Sequence, residues 1–164
     1  MWRKKNDGRE KPSAYGKALG LLSRRERSSK ELERRLDREG YESADADAAL
    51  TLLREQTFLD DTRFAGALVR LRIGQGFGPR RIAAELRTHG LTDSDIREQP
   101  DLVDADWTNL ARHLYRRRFG GRPADDAAER NRRASFLLRR GFDAATVRII
   151  THANDVDDSA DEFD

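Results

Sequence analysis

Three stretches of the chain repeat one another at a period of about fifty residues, and a period of that length belongs to arrays of small supersecondary units. They are Lys30-Glu-Leu-Glu-Arg-Arg-Leu-Asp-Arg-Glu-Gly40-Tyr41, Arg80-Arg-Ile-Ala-Ala-Glu-Leu-Arg-Thr-His-Gly90-Leu91 and Asn131-Arg-Arg-Ala-Ser-Phe-Leu-Leu-Arg-Arg-Gly141-Phe142. Their glycines lie 50 and 51 residues apart. Each glycine follows a leucine by four positions (Leu36, Leu86, Leu137) and precedes an apolar residue.

These offsets describe a helix end. A left-handed glycine at C′ lets the last carbonyls find donors, and the side chain at C3 then packs on the one at C″. The leucines fall at C3, and Tyr41, Leu91 and Phe142 fall at C″. Arg38, His89 and Arg140 sit where the helix dipole favours positive charge. Ser43, Thr92 and Asp143 follow as N-cap candidates, and Ala46, Ile96 and Val147 recur six residues after each glycine. The spacing predicts a helix–glycine turn–helix unit used three times.

A further helix precedes each unit. Residues 14–24 place Ala18, Leu19 and Leu22 on one face; residues 61–73 place Phe64, Ala65, Leu68 and Leu71 there; residues 106–119 place Trp107, Leu110, Ala111 and Leu114 there. Ser28 with Glu31 forms a capping-box pattern, and Pro79 suits the first position of a helix after Gly78. Pro100 cuts the second unit's last helix short after Gln99. No period-2 alternation is sustained, so strands are not expected. The predicted fold is all-α, three tandem three-helix repeats stacked into an elongated array. The expected divisions are a flexible basic segment 1–13, repeats at 14–59, 60–105 and 106–153, and an acidic, disordered tail 154–164.

Charge suits such thin units: 38% of the 164 residues are charged, against a usual ~25%. The net +2 hides segregation. Residues 108–153 hold eleven bases and four acids, whereas 154–164 hold six acids and no base. The absence of cysteine excludes disulfides, thiolate metal sites and a cysteine nucleophile. No apolar run approaches a membrane span, and the start of the chain lacks a signal core, so a cytoplasmic protein away from membranes is expected.

No enzyme is indicated. His89, His113 and His152 lack metal-ligand spacing, and the pairs Asp45/Asp47 and Asp93/Asp95 fall in first helical turns, where acids suit the dipole. Gly74-Gln-Gly-Phe-Gly-Pro79 lacks the Gly-Lys-Ser/Thr of a nucleotide loop and reads as a flexible joint between helices. No catalytic residue, metal ligand or cofactor site is therefore assigned. A hydrolase would have only the aspartate pairs to work with.

Arginine carries the functional signal, with 27 Arg against five Lys. Its planar fork suits carboxylate and phosphate. The candidate contact surface comprises Arg24, Arg25, Arg27, Arg70, Arg72, Arg80, Arg81, Arg112, Arg116, Arg117, Arg118, Arg132, Arg133, Arg139 and Arg140. Around Glu31–Glu39, i,i+4 ion pairing accounts for the charge; around Arg116–Arg118 and Arg130–Arg140, where acids are few, a binding face is the better account.

Several segments in order resemble the RecX family of recombination regulators: Ala18-Leu-Gly-Leu-Leu-Ser-Arg-Arg-Glu-Arg-Ser-Ser-Lys-Glu-Leu32, Phe58-Leu-Asp-Asp-Thr-Arg-Phe-Ala65, Gly78-Pro-Arg-Arg-Ile-Ala-Ala-Glu-Leu86, Asp106-Trp107 and Phe136-Leu-Leu-Arg-Arg-Gly-Phe142. The resemblance spans residues 14–152 and implies a small helical protein of three-helix units. It also implies a partner, the RecA nucleoprotein filament, whose ATPase and strand exchange such proteins generally inhibit, with no catalytic residues to transfer. Weak direct DNA contact and action as a monomer are expected. The alternative is a stand-alone helical DNA-binding module, which predicts tight, steeply salt-dependent binding without RecA.

Overall fold

The computed structural model describes residues 11–152, and among them all regular structure is helical. The expected segment 154–164, and 1–13 except for its last three residues, lie outside the described residues. The chain divides into two compact units after Asp61.

The first unit holds α1 (Ala14–Leu22), α2 (Ser29–Arg38) and α3 (Ser43–Glu55). Ser13 and Ser28 cap α1 and α2, each side-chain oxygen accepting a backbone N–H from three residues on at 3.1 Å. Ser43 is not a cap: it is the first helical residue of α3, and Glu42 before it makes no side-chain cap bond. The core gathers Ala14, Ala18, Leu32, Leu36, Ala46, Ala49, Leu50, Leu53 and Leu59.

The second unit carries two repeats. The first is α4 (Asp61–Gly74), α5 (Pro79–Thr88) and a third helix broken into α6 (Asp93–Arg97) and α7 (Pro100–Val103). Pro100 causes the break, since it lacks the N–H that would continue α6 and instead opens α7 at its first position. The second is α8 (Trp107–Phe119), α9 (Ala127–Arg140) and α10 (Ala144–His152). Each repeat has its own core, and Trp107 packs against both. Leu71 is an exception to the expected stripe and is 54% exposed. The buried residues of α4 centre between Phe64 and Val69, which leaves Leu71 about 90° away.

All three predicted glycine turns have the Schellman pattern. Gly40, Gly90 and Gly141 adopt φ of 73°, 88° and 95°. The N–H groups of Tyr41, Leu91 and Phe142 donate to the carbonyls of Leu36, Leu86 and Leu137 at 3.2, 3.3 and 3.2 Å. Those three leucines are fully buried. Gly76 (φ 78°) ends α4 the same way, Phe77 N–H reaching the Arg72 carbonyl at 3.0 Å.

The glycine-rich joint between α4 and α5 is pinned rather than flexible. Gly78 N–H donates to the Arg140 carbonyl at 2.7 Å, and Arg80 N–H to the Gly141 carbonyl at 3.1 Å. The N-terminal donors of α5 and the C-terminal acceptors of α9 thereby satisfy one another, with their dipoles head to tail. The approach requires glycine: a Cβ on Gly78 would lie 2.4 Å from the carbonyl carbon of Gly141, and one on Gly141 2.5 Å from Cβ of Arg81.

Candidate partner-binding surface

The fifteen arginines separate by what surrounds them. In the first unit Arg24 is exposed in the turn after α1. Arg25 and Arg27 both converge on the Glu31 carboxylate. In the second unit Arg70 pairs with Asp101 at 2.7 Å, and Arg72 grips Glu85 with two bonds of 2.8 and 2.6 Å. The hydrogen bond from Arg72 holds the Glu85 carboxyl below its ordinary value and raises the guanidinium in turn.

Arg133 does not belong to an accessible surface. Its side chain is 7% exposed. It donates to the Tyr115 hydroxyl (3.1 Å), the carbonyls of Arg122 (2.7 Å) and Pro123 (3.3 Å), and the Glu129 carboxylate (2.6 Å). It therefore closes the loop between α8 and α9. The repeat alignment explains this position: eight residues before each glycine stand Leu32, Ile82 and Arg133, and the first two are fully buried core residues. Arg133 fills that core place with its stem and satisfies its head internally. The Tyr115 bond, then that to Glu129, raises its pKa; Glu129 is lowered by the Asp125 N–H first and Arg133 second.

Arg116, Arg117 and Arg118 form the exposed last turn of α8, and Arg132 and Arg139 are exposed on α9. Among the described residues none of these five is ion-paired. Arg80 and Arg81 are exposed on α5; Arg112 and Arg140 are half-buried.

Aromatic rings interleave with this charge, a feature absent from the sequence reading. Arg81 and Arg140 both lie over Phe77, 4.6 and 5.1 Å from the ring centre. Arg140 also lies 5.4 Å from Phe136, which meets Phe119 edge-on at 5.4 Å, and Arg118 lies 5.9 Å from Phe119. The signal was present as i,i+4 spacing in Phe77–Arg81 and Phe136–Arg140. Arg81 and Arg140 also donate to the carbonyls of Arg139 and Gln75 at 3.4 and 3.1 Å, and a guanidinium over a ring can still direct its remaining N–H groups to an oxyanion. Arg118, Arg132 and Arg139 line one cavity together with Phe119 and Phe136, while Arg117 lines another with Leu110, His113 and Leu114.

Three of the remaining polar candidates, Asp95, Asp93 and His89, have structural partners. The Asp95 carboxylate closes a capping box with Thr92, whose hydroxyl and N–H hold it below its ordinary pKa. Asp93 pairs with Arg87 at 2.8 Å. His89 packs 4.8 Å from Phe64. Among the described residues no helix is long and apolar enough to cross a membrane.

Sequence models of the first, second and third three-helix domains of RecX match residues 14–53, 60–98 and 104–150. The chain is 47% identical over 135 residues to the regulatory protein RecX of Stenotrophomonas maltophilia, covering 82% of this chain and 83% of that one. The regulatory protein RecX of Xanthomonas axonopodis pv. citri gives the same identity and coverage. Among solved structures, a crystal structure of regulatory protein RecX superposes with a TM-score of 0.69 at 25% identity, covering 84% of this chain and 69% of that chain. RecX from Lactobacillus salivarius superposes with 0.72 at 22%, covering 87% and 95%, which supports the fold. With three consecutive domain matches and close relatives over most of its length, the chain belongs to the RecX family of regulatory proteins.

Proposed function

We propose that this chain regulates the RecA recombinase by binding its nucleoprotein filament, and that it mainly inhibits ATP hydrolysis and strand exchange. One observation supports the contact surface above others: Arg116, Arg117, Arg118, Arg132 and Arg139 are exposed on two adjoining helices, and among the described residues only Arg132 acts on a carboxylate, Glu129, which Arg133 already binds. Charge left without an ion pair among the described residues is available to a partner's carboxylates or to DNA phosphate. The chain acts stoichiometrically, as a monomer, by opposing motions or additions that the filament needs. Mixing it with RecA, single-stranded DNA and ATP tests this. Hydrolysis and strand exchange should fall at equimolar protein; unchanged rates would sink the reading.

The interleaved rings favour a second contribution, direct contact with exposed DNA strands, because bases stack on aromatic faces while arginines hold phosphate. As an auxiliary contact it should be weak and graded with salt. Tight, steeply salt-dependent binding in the absence of RecA would instead favour a stand-alone DNA-binding module.

A further inference from the structure

The cavity between the end of α8 and the outer face of α9 is a built site of defined chemistry. It has a volume of about 260 Å³, and its lining includes the edge-to-face pair Phe119 and Phe136. Three exposed arginines, Arg118, Arg132 and Arg139, line it as well. The one carboxylate among its lining residues, Glu129, is already held by Arg133 and by the Asp125 N–H at 2.9 Å, and of the three guanidiniums only Arg132 acts on it, without forming an ion pair. The open valence of the site is therefore positive and apolar together. Its volume is below the ~300 Å³ at which ligand pockets begin, so it suits one inserted side chain rather than a cofactor. The complementary ligand is an aromatic residue flanked by carboxylates.

This chain carries such a segment. Residues 153–164 contain six acids, no base and one aromatic residue, in the run Asp161-Glu162-Phe163-Asp164. We propose that Phe163 seats on Phe119 and Phe136, with the neighbouring carboxylates on Arg118, Arg132 and Arg139, so that the chain covers its own contact surface until a partner displaces it.

Reach does not limit this. α10 ends at His152 and packs on both α8 and α9, and α9, the longest helix of the repeat, is about 21 Å long. Twelve residues span up to ~40 Å. A tether of this length gives an effective concentration in the millimolar range, so even a weak contact competes with an incoming partner. The docking stands on the cavity and the run alone; the competition rests on the functional reading above.

The chain has no cysteine, which makes a direct test simple. Nitroxides are placed at Asn131→Cys, on the exposed side of α9, and at Ser159→Cys, and their separation is measured by pulsed electron resonance in the full chain. A short, narrow distance distribution is expected. It should lengthen and broaden with Phe163→Ala, with Arg132→Glu plus Arg139→Glu, and in high salt, where the Debye length shrinks. A distribution indifferent to these changes overturns the proposal. So does a short distance that disappears when labelled chain is diluted into unlabelled chain, because the occupant is then a second copy. In parallel, Phe163→Ala should bind the RecA filament several-fold more tightly. Unchanged affinity overturns the competition, whereas no response of RecA to either chain overturns the functional reading and leaves the distances standing.

Discussion

The first and third repeats use the same helix–turn–helix plan with opposite charge accounting. Residues 14–59 contain nine bases and nine acids, and residues 106–153 contain eleven bases and five acids. In the first, Lys17 and Arg35 share Glu39 at 2.8 and 2.7 Å, Lys30 meets Glu33 at 2.9 Å, and Arg25 and Arg27 share Glu31. In the third, Glu129 is committed to the buried Arg133, and Arg116, Arg117, Arg118, Arg132 and Arg139 form no ion pair among the described residues. The number of arginines thus says little about binding; the neighbouring acids decide whether their charge is spent inside the molecule or offered outside it.

The turns differ as sharply as the charges. Gly40 and Gly141 share the left-handed conformation, but a Cβ on Gly40 meets nothing within 4 Å, whereas one on Gly141 runs into Arg81. Gly40→Ala should lose about 1 kcal/mol, the cost of the left-handed backbone. Gly141→Ala adds overpacking against α5 and should lose about 3–5 kcal/mol. Urea midpoints at constant slope check the contrast. Equal losses at the two positions would show that the α5–α9 contact yields without cost.

The next largest effect concerns the core position eight residues before the glycine. Arg133→Ala should cost about 2 kcal/mol, since it removes packing and several hydrogen bonds at once. Arg133→Leu copies the first repeat's Leu32 and should come close to neutral, as buried ionic groups replaced by apolar ones often do. Thermal melts of the two variants separate the cases. A Leu variant as unstable as the Ala variant would mean that the polar closure of the α8–α9 loop, rather than filled volume, holds the repeat.

The repeat register, the glycine turns and the interruption at Pro100 were legible because each follows from a local rule: a left-handed residue, a missing N–H, a leucine at fixed offset. Leu71 was misplaced because an ideal stripe cannot tell which edge of itself the neighbouring helix will cover. Ser43 failed as a cap by one residue, the usual uncertainty of a helix start. The surface was only half legible. Charge composition pointed to the third repeat, yet it could not distinguish Arg132, which is exposed, from Arg133, which is buried beside it in sequence. The alignment with Leu32 and Ile82 held that information. The stacking of Arg81 and Arg140 on one ring was not available in this way, because it joins helices 59 residues apart in the chain.

Neutralising the two charge sets tests the functional half of the comparison. Changing Arg116, Arg117, Arg118, Arg132 and Arg139 to glutamine should weaken binding to RecA filaments by about tenfold or more, equivalent to about 1.4 kcal/mol. The change in the first repeat, Arg25→Gln with Arg27→Gln, should alter it less than about threefold, because internally satisfied charge contributes little at an interface rim. Anisotropy titrations at one fixed salt concentration measure both. A larger effect from the first-repeat pair would move the contact surface away from α8 and α9.

The smallest contrast lies at the start of each repeat's last helix. α10 opens on Asp143, whose carboxylate accepts from the Thr146 N–H at 2.9 Å and from its hydroxyl at 2.8 Å, while α3 opens without a side-chain cap. The Thr146 backbone bond, followed by its hydroxyl, holds the Asp143 carboxyl below its ordinary 3.8. A lowered folded pKa contributes stability that is complete above 3.8 and is lost as pH falls through the folded value. Asp143→Ala should therefore cost about 1 kcal/mol at neutral pH and approach the parent in strong acid, whereas Asp143→Asn keeps the cap and loses only the acid dependence. In the first repeat Glu42→Ser should add about 0.5–1 kcal/mol by supplying the missing cap, with no acid limb of its own. Unfolding followed from pH 7 to pH 2 distinguishes the three, and a constant penalty for Asp143→Ala across that range would assign the cap's contribution to geometry rather than to charge.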